Sequence, residues 1–435
     1  MKAHAFNSRY SALVAPLFCG FLLLAACSGS NPILSAELTP TNEIPESNVN
    51  GEATPSAEAA GAAITLTLWI PPAFAPSGGD LEDAILQDRL DAFHVVHPNV
   101  QVQVRLKVEE GEGGMLAALQ AANQAAPLAM PDLVLLPSDL LPAAAEQGLL
   151  IPLDGLLSES LGGDWFGFGT EMVERGGQTY GLPFAGDAFV LIHRLSAISD
   201  PPHTWNATLD EPLAIGFAAA DPEALFTLHQ LLAPIGGEAP SLLDESLDIE
   251  RTQRLFNFYA EGRRTGAFPF WLTQYESPEQ SWQVFLEGSV PMVANWSSRF
   301  LTSTDSNLGA VLLPSQDGSE FALARGWAWV ISTPYSERTA LIVALAEFLT
   351  DPEFMAQWSS AAGLLTTRTS ALNAWSPDQR QALASQAALA AHMLPRPSLR
   401  EVYGPAFSQA VVDLLKQETT APEALQELLE RLGVE

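Results

Sequence analysis

The chain has 435 residues, 47% of them hydrophobic and 16% charged, with Lys+Arg 20 against Asp+Glu 51 and a net charge of −31. That length calls for two or more lobes, and that charge excludes nucleic acid and large polyanions as partners, because phosphate binding depends on clustered Lys and Arg. Both cysteines, Cys19 and Cys27, lie near the N-terminus, which excludes a disulfide or a thiolate metal site in the rest of the chain.

Lys2 and Arg9 precede an apolar run from Leu13 to Ala26 that is too short for a comfortable membrane span. Residues 1–27 are therefore predicted to be an export signal. Its end, Leu24-Ala25-Ala26-Cys27, resembles the bacterial lipobox. The resemblance implies cleavage before Cys27 and lipidation of that cysteine; an ordinary signal peptide with an incidental cysteine is the alternative. Residues 28–63 are rich in Ser, Pro, Asn, Glu, Ala, Gly and Thr without apolar periodicity, and are predicted to be a disordered tether.

From there the pattern alternates strand and helix. Ile64 to Ile70 alternates and reads as a strand. Asp80 can cap a helix to about His97, with Leu81, Ile85, Leu86, Leu90 and Phe93 in one stripe. Val100 to Val108 is a second strand and Leu116 to Ala126 a second helix. Asp132 to Leu136 is a buried strand by its unbroken apolar run, and Leu140 to Gly148 a short helix. This order predicts an α/β lobe with a largely parallel sheet, whose ligands sit at the carboxyl ends of the strands. Trp69 and the pair Ser138-Asp139 occupy those ends.

The stretch Thr179 to Arg194 joins a tight turn, Tyr180-Gly181-Leu182-Pro183, to an apolar strand, Phe189 to Ile192, with the lone carboxylate Asp187 between them. Here the chain is expected to cross from one lobe to the other, with Asp187 at the lip of the cleft. Leu209 to Val284 reads as mostly helical, Val290 to Trp296, Leu308 to Leu313 and Trp327 to Ile331 as strands, and Glu337 to Leu349 as a helix. The tail, Phe354 to Leu432, is helical with breaks at Gly363, Pro377, Pro395 and Pro405.

The landmarks Phe93…Pro98-Asn99-Val100, Pro131-Asp132-Leu133-Val134…Gly148-Leu149-Leu150, Tyr180-Gly181-Leu182-Pro183, Phe285-Leu286-Glu287-Gly288…Trp296, and Gly326-Trp327-Ala328-Trp329 followed by Asp351-Pro352-Glu353 stand in a telling order. The chain resembles the extracellular solute-binding proteins of bacterial ABC importers, in particular the maltose-binding-protein-like group, over about residues 64 to 435. The resemblance implies an α/β, two-lobed periplasmic-binding-protein-like fold of type II, with the ligand held between lobes that close about a hinge. It places the N-terminal lobe at 64–182 and 310–349 and the C-terminal lobe at 183–309 and 350–435. Two stretches depart from the family pattern, Gly363 to Arg368 and His193-Arg194.

A sugar offers hydroxyls to carboxylates and a weakly apolar C–H face to aromatic rings. By position in the family pattern, Trp69, Asp139, Asp187 and Trp296 are the implied ligand contacts. Trp327 is a further one, beside Gly326, which would let backbone approach the ligand. Ser138, Arg325, Arg396 and Tyr403 complete the candidates, and an arginine in the cleft would make an acidic sugar possible. Each has a plain alternative: Asp139 can cap the helix at Leu140, Asp187 can pair with an arginine across the hinge, and the tryptophans can be core.

His94 and His97 have metal-like spacing but no evident third ligand, so neither metal nor cofactor is expected. HExxH, GxSxG and P-loop patterns are missing from the sequence. The expected function is non-enzymatic: a lipid-anchored, monomeric binding protein at the outer face of the cytoplasmic membrane or in the periplasm. It would capture a sugar or oligosaccharide and deliver it to an ABC permease. A tethered surface glycoside hydrolase and an adhesion or sensing lipoprotein are the alternatives.

Overall fold

The computed structural model describes residues 63–76, 78–158, 163–210, 213–236, 247–332 and 336–434. The export signal, Cys27 and all but the last residue of the expected tether lie outside them. The alternation of ITLTLWI produces β1 (Ile64–Ile70), with Leu66 and Leu68 turned inward. In α1 (Leu81–Val96) the Asp83 carboxylate accepts the Asp80 N–H at 3.0 Å and closes the first turn, while Leu86, Leu90 and Phe93 face the core. β2 (Val100–Leu106), α2 (Met115–Ala125), β3 (Leu133–Pro137) and α3 (Leu141–Glu146) follow, and β3 is buried along its whole length.

α4 (Gly167–Val173) leads through the hairpin of β4 (Glu174–Arg175) and β5 (Gln178–Thr179) into the long β6 (Leu182–Arg194). Then come α5 (Trp205–Asp210), β7 (Ile215–Gly216), α6 (Leu225–Leu232), α7 (Ile249–Thr265), α8 (Pro278–Leu286), β8 (Met292–Trp296), α9 (Ser298–Leu301), β9 (Leu308–Val311) and β10 (Ala322–Ile331). The chain finishes with α10 (Ser336–Phe348), α11 (Pro352–Ala362), β11 (Leu365–Thr366), α12 (Thr369–Asn373), α13 (Gln379–Ala390), β12 (Ala391–Met393), α14 (Pro397–Lys416) and α15 (Ala421–Leu432).

The strands run in the order β2-β1-β3-β10-β6-β8-β7, with β9 and β11 also on β6 and β12 on β10. β1 is parallel to both neighbours, as expected of strand–helix–strand units. β10 is antiparallel to β3 and β6, so the largely parallel sheet of the sequence reading stops at β3. β6 changes partner within its length: residues 182–188 pair with β10, and residues 189–194 pair with β8 and β9. One continuous strand thus belongs to both lobes.

Two apolar clusters flank the sheet, Val190 and Ile192 of β6 facing the first and Phe189 and Leu191 the second. The second is built from α6, α7, α14 and α15, with Phe256, Phe268, Phe407 and Val411 at its centre. The first contains β1, β3 and α1, and also α11 to α13. The C-terminal segment contributes to both clusters, residues 354–391 to the first and residues 394–428 to the second. The cause is aromatic packing, since Trp358 of α11 stacks on Phe74 at 5.6 Å and meets Phe184 at 4.4 Å. Pro405 was expected to break the tail but lies inside α14. It removes one backbone donor, which the burial of Phe407, Val411, Leu414 and Leu415 offsets.

His229 of α6 is completely buried. Trp205 Nε1 donates to Gln230 Oε1 at 2.6 Å, which turns the Gln230 amide toward His229 Nδ1 at 3.4 Å and leaves His229 Nε2 to donate to the Phe321 carbonyl at 3.1 Å. This network selects the neutral ring, and burial pushes its pKa down to about 4. The unfolded state binds the extra proton at higher pH, so the neutral ring's contribution is full above about pH 6.5 and is lost as the pH falls toward about 4. Asp221, pushed up to about 6 by burial, works in the opposite direction over much of that window. Comparing wild type with His229→Gln cancels Asp221 and every other shared group. The wild-type advantage in urea unfolding is expected to shrink by about 3 kcal/mol between pH 7 and pH 4; a pH-independent difference would reject this assignment.

Candidate functional site

The site lies where β3, β6, β8 and β10 meet. The end of β3 is stitched to β10: Ser138 N donates to the Gly326 carbonyl at 2.8 Å, and Ser138 Oγ accepts the Gly326 N–H at 3.2 Å. This ties the end of β3, and the Ser138-Asp139 turn that follows it, to β10. The bare face of Gly326 is filled by α4 rather than turned to a ligand, since a Cβ there would stand 2.2 Å from Met172 Cε and 2.8 Å from the Ala185 carbonyl.

Asp187 was expected at the cleft lip, but it is completely buried. Its carboxylate accepts from Ser297 Oγ at 2.9 Å, Ser298 N at 2.9 Å, Ser298 Oγ at 2.8 Å and Arg325 Nη2 at 3.1 Å. These donors come from the end of β8, the start of α9 and β10. The alternative of an arginine partner is the one found, and the position is structural: four donors use the carboxylate's acceptor capacity.

Arg325 is thereby held with its guanidinium carbon 4.3 Å from the Trp296 ring centroid and 5.7 Å from that of Trp327. Its side chain is 42% exposed, so this pair of indoles flanks a cation that solvent still reaches. Trp327 is mostly buried; its Nε1 donates to Glu109 Oε1 at 2.9 Å and its ring meets Phe74 edge-on at 5.1 Å. Trp296 is half-buried, with Phe189 against its edge at 5.4 Å.

Trp69 is buried in β1, its ring 4.7 Å from Lys107 Nζ and its Nε1 without a partner among the described residues. Asp139 is paired with Arg400, whose other nitrogen reaches Glu223 at 2.8 Å. Tyr403, half-buried, stands one turn beyond Arg400 on α14. Arg396 is exposed and lines a different cavity, of about 560 Å³, with Glu171, Arg175 and Tyr180. The structure thus brings together Trp296, Arg325 and Trp327, with Asp187 buried beneath Arg325 and Ser138 bonded to the neighbouring Gly326; it pairs Asp139 with Arg400 and sets Arg396 apart.

Three residues of this group were missed in the sequence: Glu109, Glu223 and Arg400. Glu109 hides in an acidic, Gly-rich loop that reads as solvated. Arg400 carried a usable signal, because its spacing from Tyr403 places both on one face of a helix.

Asp187→Ala is expected to lower unfolding stability by about 3 kcal/mol in urea titration, because it strips a buried charge from four donors. Ser297→Ala, which removes one donor to the carboxylate and the acceptor of the Ala188 N–H at 3.1 Å, is expected to cost less, about 1–2 kcal/mol. Equal effects of the two would mean the carboxylate is not the centre of the junction.

The profile of the family described as bacterial extracellular solute-binding protein matches residues 91–388. The maltotriose-binding protein of Pyrococcus abyssi (strain GE5 / Orsay) is 23% identical over 249 residues, 54% of this chain and 52% of that protein, so the chain spans about half the length of this curated relative. Among solved structures, the maltose-binding periplasmic protein of Listeria monocytogenes in complex with maltose superposes with a TM-score of 0.67 at 15% identity, covering 85% of this chain and 97% of the other. The cyclic alpha-maltosyl-1,6-maltose binding protein of Arthrobacter globiformis gives 0.65 at 16% identity, covering 85% and 98%. Such likenesses establish the two-lobed α/β fold. With more than half of its length matched by the family profile, this chain belongs to the bacterial extracellular solute-binding proteins.

Proposed function

We propose that the protein is the substrate-binding component of an ABC importer, that it captures a sugar or oligosaccharide between its lobes without turnover, and that it delivers this ligand to the permease as a monomer. The observation that carries the reading is the pair of indoles, Trp296 and Trp327, flanking the half-exposed Arg325, with the Glu109 carboxylate on the Trp327 N–H, which supplies ring faces for C–H surfaces and an acceptor for hydroxyls. The maltotriose-binding and maltose-binding relatives bear on the ligand class in the same sense. A neutral sugar is favoured over an acidic one, because both arginines near the group already face carboxylates: Arg325 pairs with Asp187, and Arg400 with Asp139 and Glu223.

The same reading places the protein outside the cytoplasmic membrane, held by lipid on Cys27. Among the described residues no helix is long and apolar enough to cross a membrane. Acyl chains anchor by burying CH₂ groups at roughly 0.8 kcal/mol each. In this reading the lobes are residues 64–182 with 310–349 and residues 183–309 with 350–435, and the crossing in β6, where pairing passes from β10 to β8 and β9, supports the first boundary.

A thermal-shift panel of mono- and oligosaccharides, with amino acids and polyamines as controls, tests the proposal. A ligand at about 100 times its dissociation constant adds about 2.7 kcal/mol to stability. A carbohydrate is expected to raise Tm, and Trp296→Ala to weaken its Kd about tenfold or more. A shift with amines alone would overturn the substrate class, and release of a cleaved glycoside would overturn the non-enzymatic reading.

A further inference from the structure

Arg400 is the most enclosed cation near the candidate site, its side chain 5% exposed although it stands in the first turns of α14. Its Nε donates to the Pro395 carbonyl at 3.0 Å, Nη1 meets Glu223 Oε2 at 2.8 Å, and Nη2 donates to Asp139 Oδ2. On the proposed lobe division the two carboxylates lie on opposite sides of the cleft. Asp139 follows β3, which packs in the first apolar cluster, whereas Glu223 precedes α6 and Arg400 opens α14, whose cores lie in the second.

The second-lobe half is built as a unit. The Asp221 carboxylate accepts the N–H groups of Glu223 at 3.0 Å and Leu225 at 3.1 Å, and Ala224 takes a left-handed φ of 50°. This loop lies directly on α14, where Gly404 leaves room for the Pro222 carbonyl; a Cβ there would stand 2.2 Å from that oxygen. Glu223 and Arg400 therefore move together, and relative motion of the lobes can break only the arm to Asp139.

We propose that Asp139–Arg400–Glu223 is a cross-cleft clasp, in which a preformed second-lobe cation takes and releases a first-lobe carboxylate as the lobes close and open. Opening leaves Arg400 paired with Glu223 and Pro395, so no buried charge is orphaned. It returns Asp139 to water. The two arrangements are thus close in energy, as a binding protein that samples closure before capture requires. Asp139 is 23% exposed and Glu223 50%, so salt screens the clasp. Arg400 is a positioning residue here: it sets the Asp139 carboxylate and biases closure. The clasp builds on the proposed sugar-binding function for its purpose, but its geometry can be tested with no ligand present.

The test is small-angle X-ray scattering of the ligand-free full chain from about 20 mM to about 0.5 M NaCl, paired with calorimetric titration of maltotriose. Wild type is expected to expand as salt rises. Arg400→Gln is expected to be expanded already at low salt and indifferent to it, Arg400→Lys to be intermediate, and the maltotriose Kd to rise about tenfold in Arg400→Gln. Asp139→Asn, at a partly exposed position, should reproduce the expansion even where Arg400→Gln folds poorly. If Asp139→Asn scatters like wild type at low salt, or if the variants lower Tm alone, the clasp is rejected. If maltotriose fails to bind wild type while the scattering changes appear, the clasp stands and the sugar reading is what fails.

Discussion

The buried carboxylate of Asp187 is the constraint on which the arrangement of this protein depends. A charge with no exposed surface is tolerated only when donors surround it, and here they are drawn from β8, α9 and β10 to a point one residue before β6 changes partners. A shorter or neutral side chain would not serve. Asparagine would remove the charge that pairs with Arg325 and turn an NH₂ toward a shell in which the Ser298 N–H and Arg325 can only donate. The ion pair also fixes the guanidinium of Arg325, and with it the distance of that cation from Trp296 and Trp327. The same contact therefore holds the lobes in register and shapes the candidate site.

The junction leaves little space for compensation. α4 packs beneath β6 and β10 so closely that Met172 occupies the place of a side chain at Gly326. Above it, Ser138 ties β3 to the same glycine through both of its backbone partners.

Much of the fold was legible because its signals are local. The alternation of residues 64–70 and the unbroken apolar run before Pro137 needed no tertiary information. β10 was read only from Trp327 onward, since Ala322-Leu323-Ala324-Arg325-Gly326 has little β propensity and is held as strand by β6 and β12. Pro405 was read as a break because the core that overrides it is assembled from distant helices. The site shows the same limit. Asp187 stood out as a carboxylate in an apolar strand, but its donors lie 110 to 138 residues away, so its depth was invisible. Arg400 and Asp139 are 261 residues apart.

The interactions already made around the site bear on how it selects a ligand. Asp139 and Glu109 each commit one oxygen, to Arg400 and to the Trp327 indole N–H, and keep a second without a partner among the described residues. Such half-satisfied carboxylates are oriented before a ligand arrives, so a hydroxyl that donates to the remaining oxygen meets a fixed acceptor and little ordering cost is added on binding. A cationic ligand would have to compete with arginines that already neutralise part of this charge, and an anionic one would meet the carboxylates themselves. On the proposed sugar-binding reading, the arrangement would discriminate by the number and direction of hydroxyl donors more than by charge.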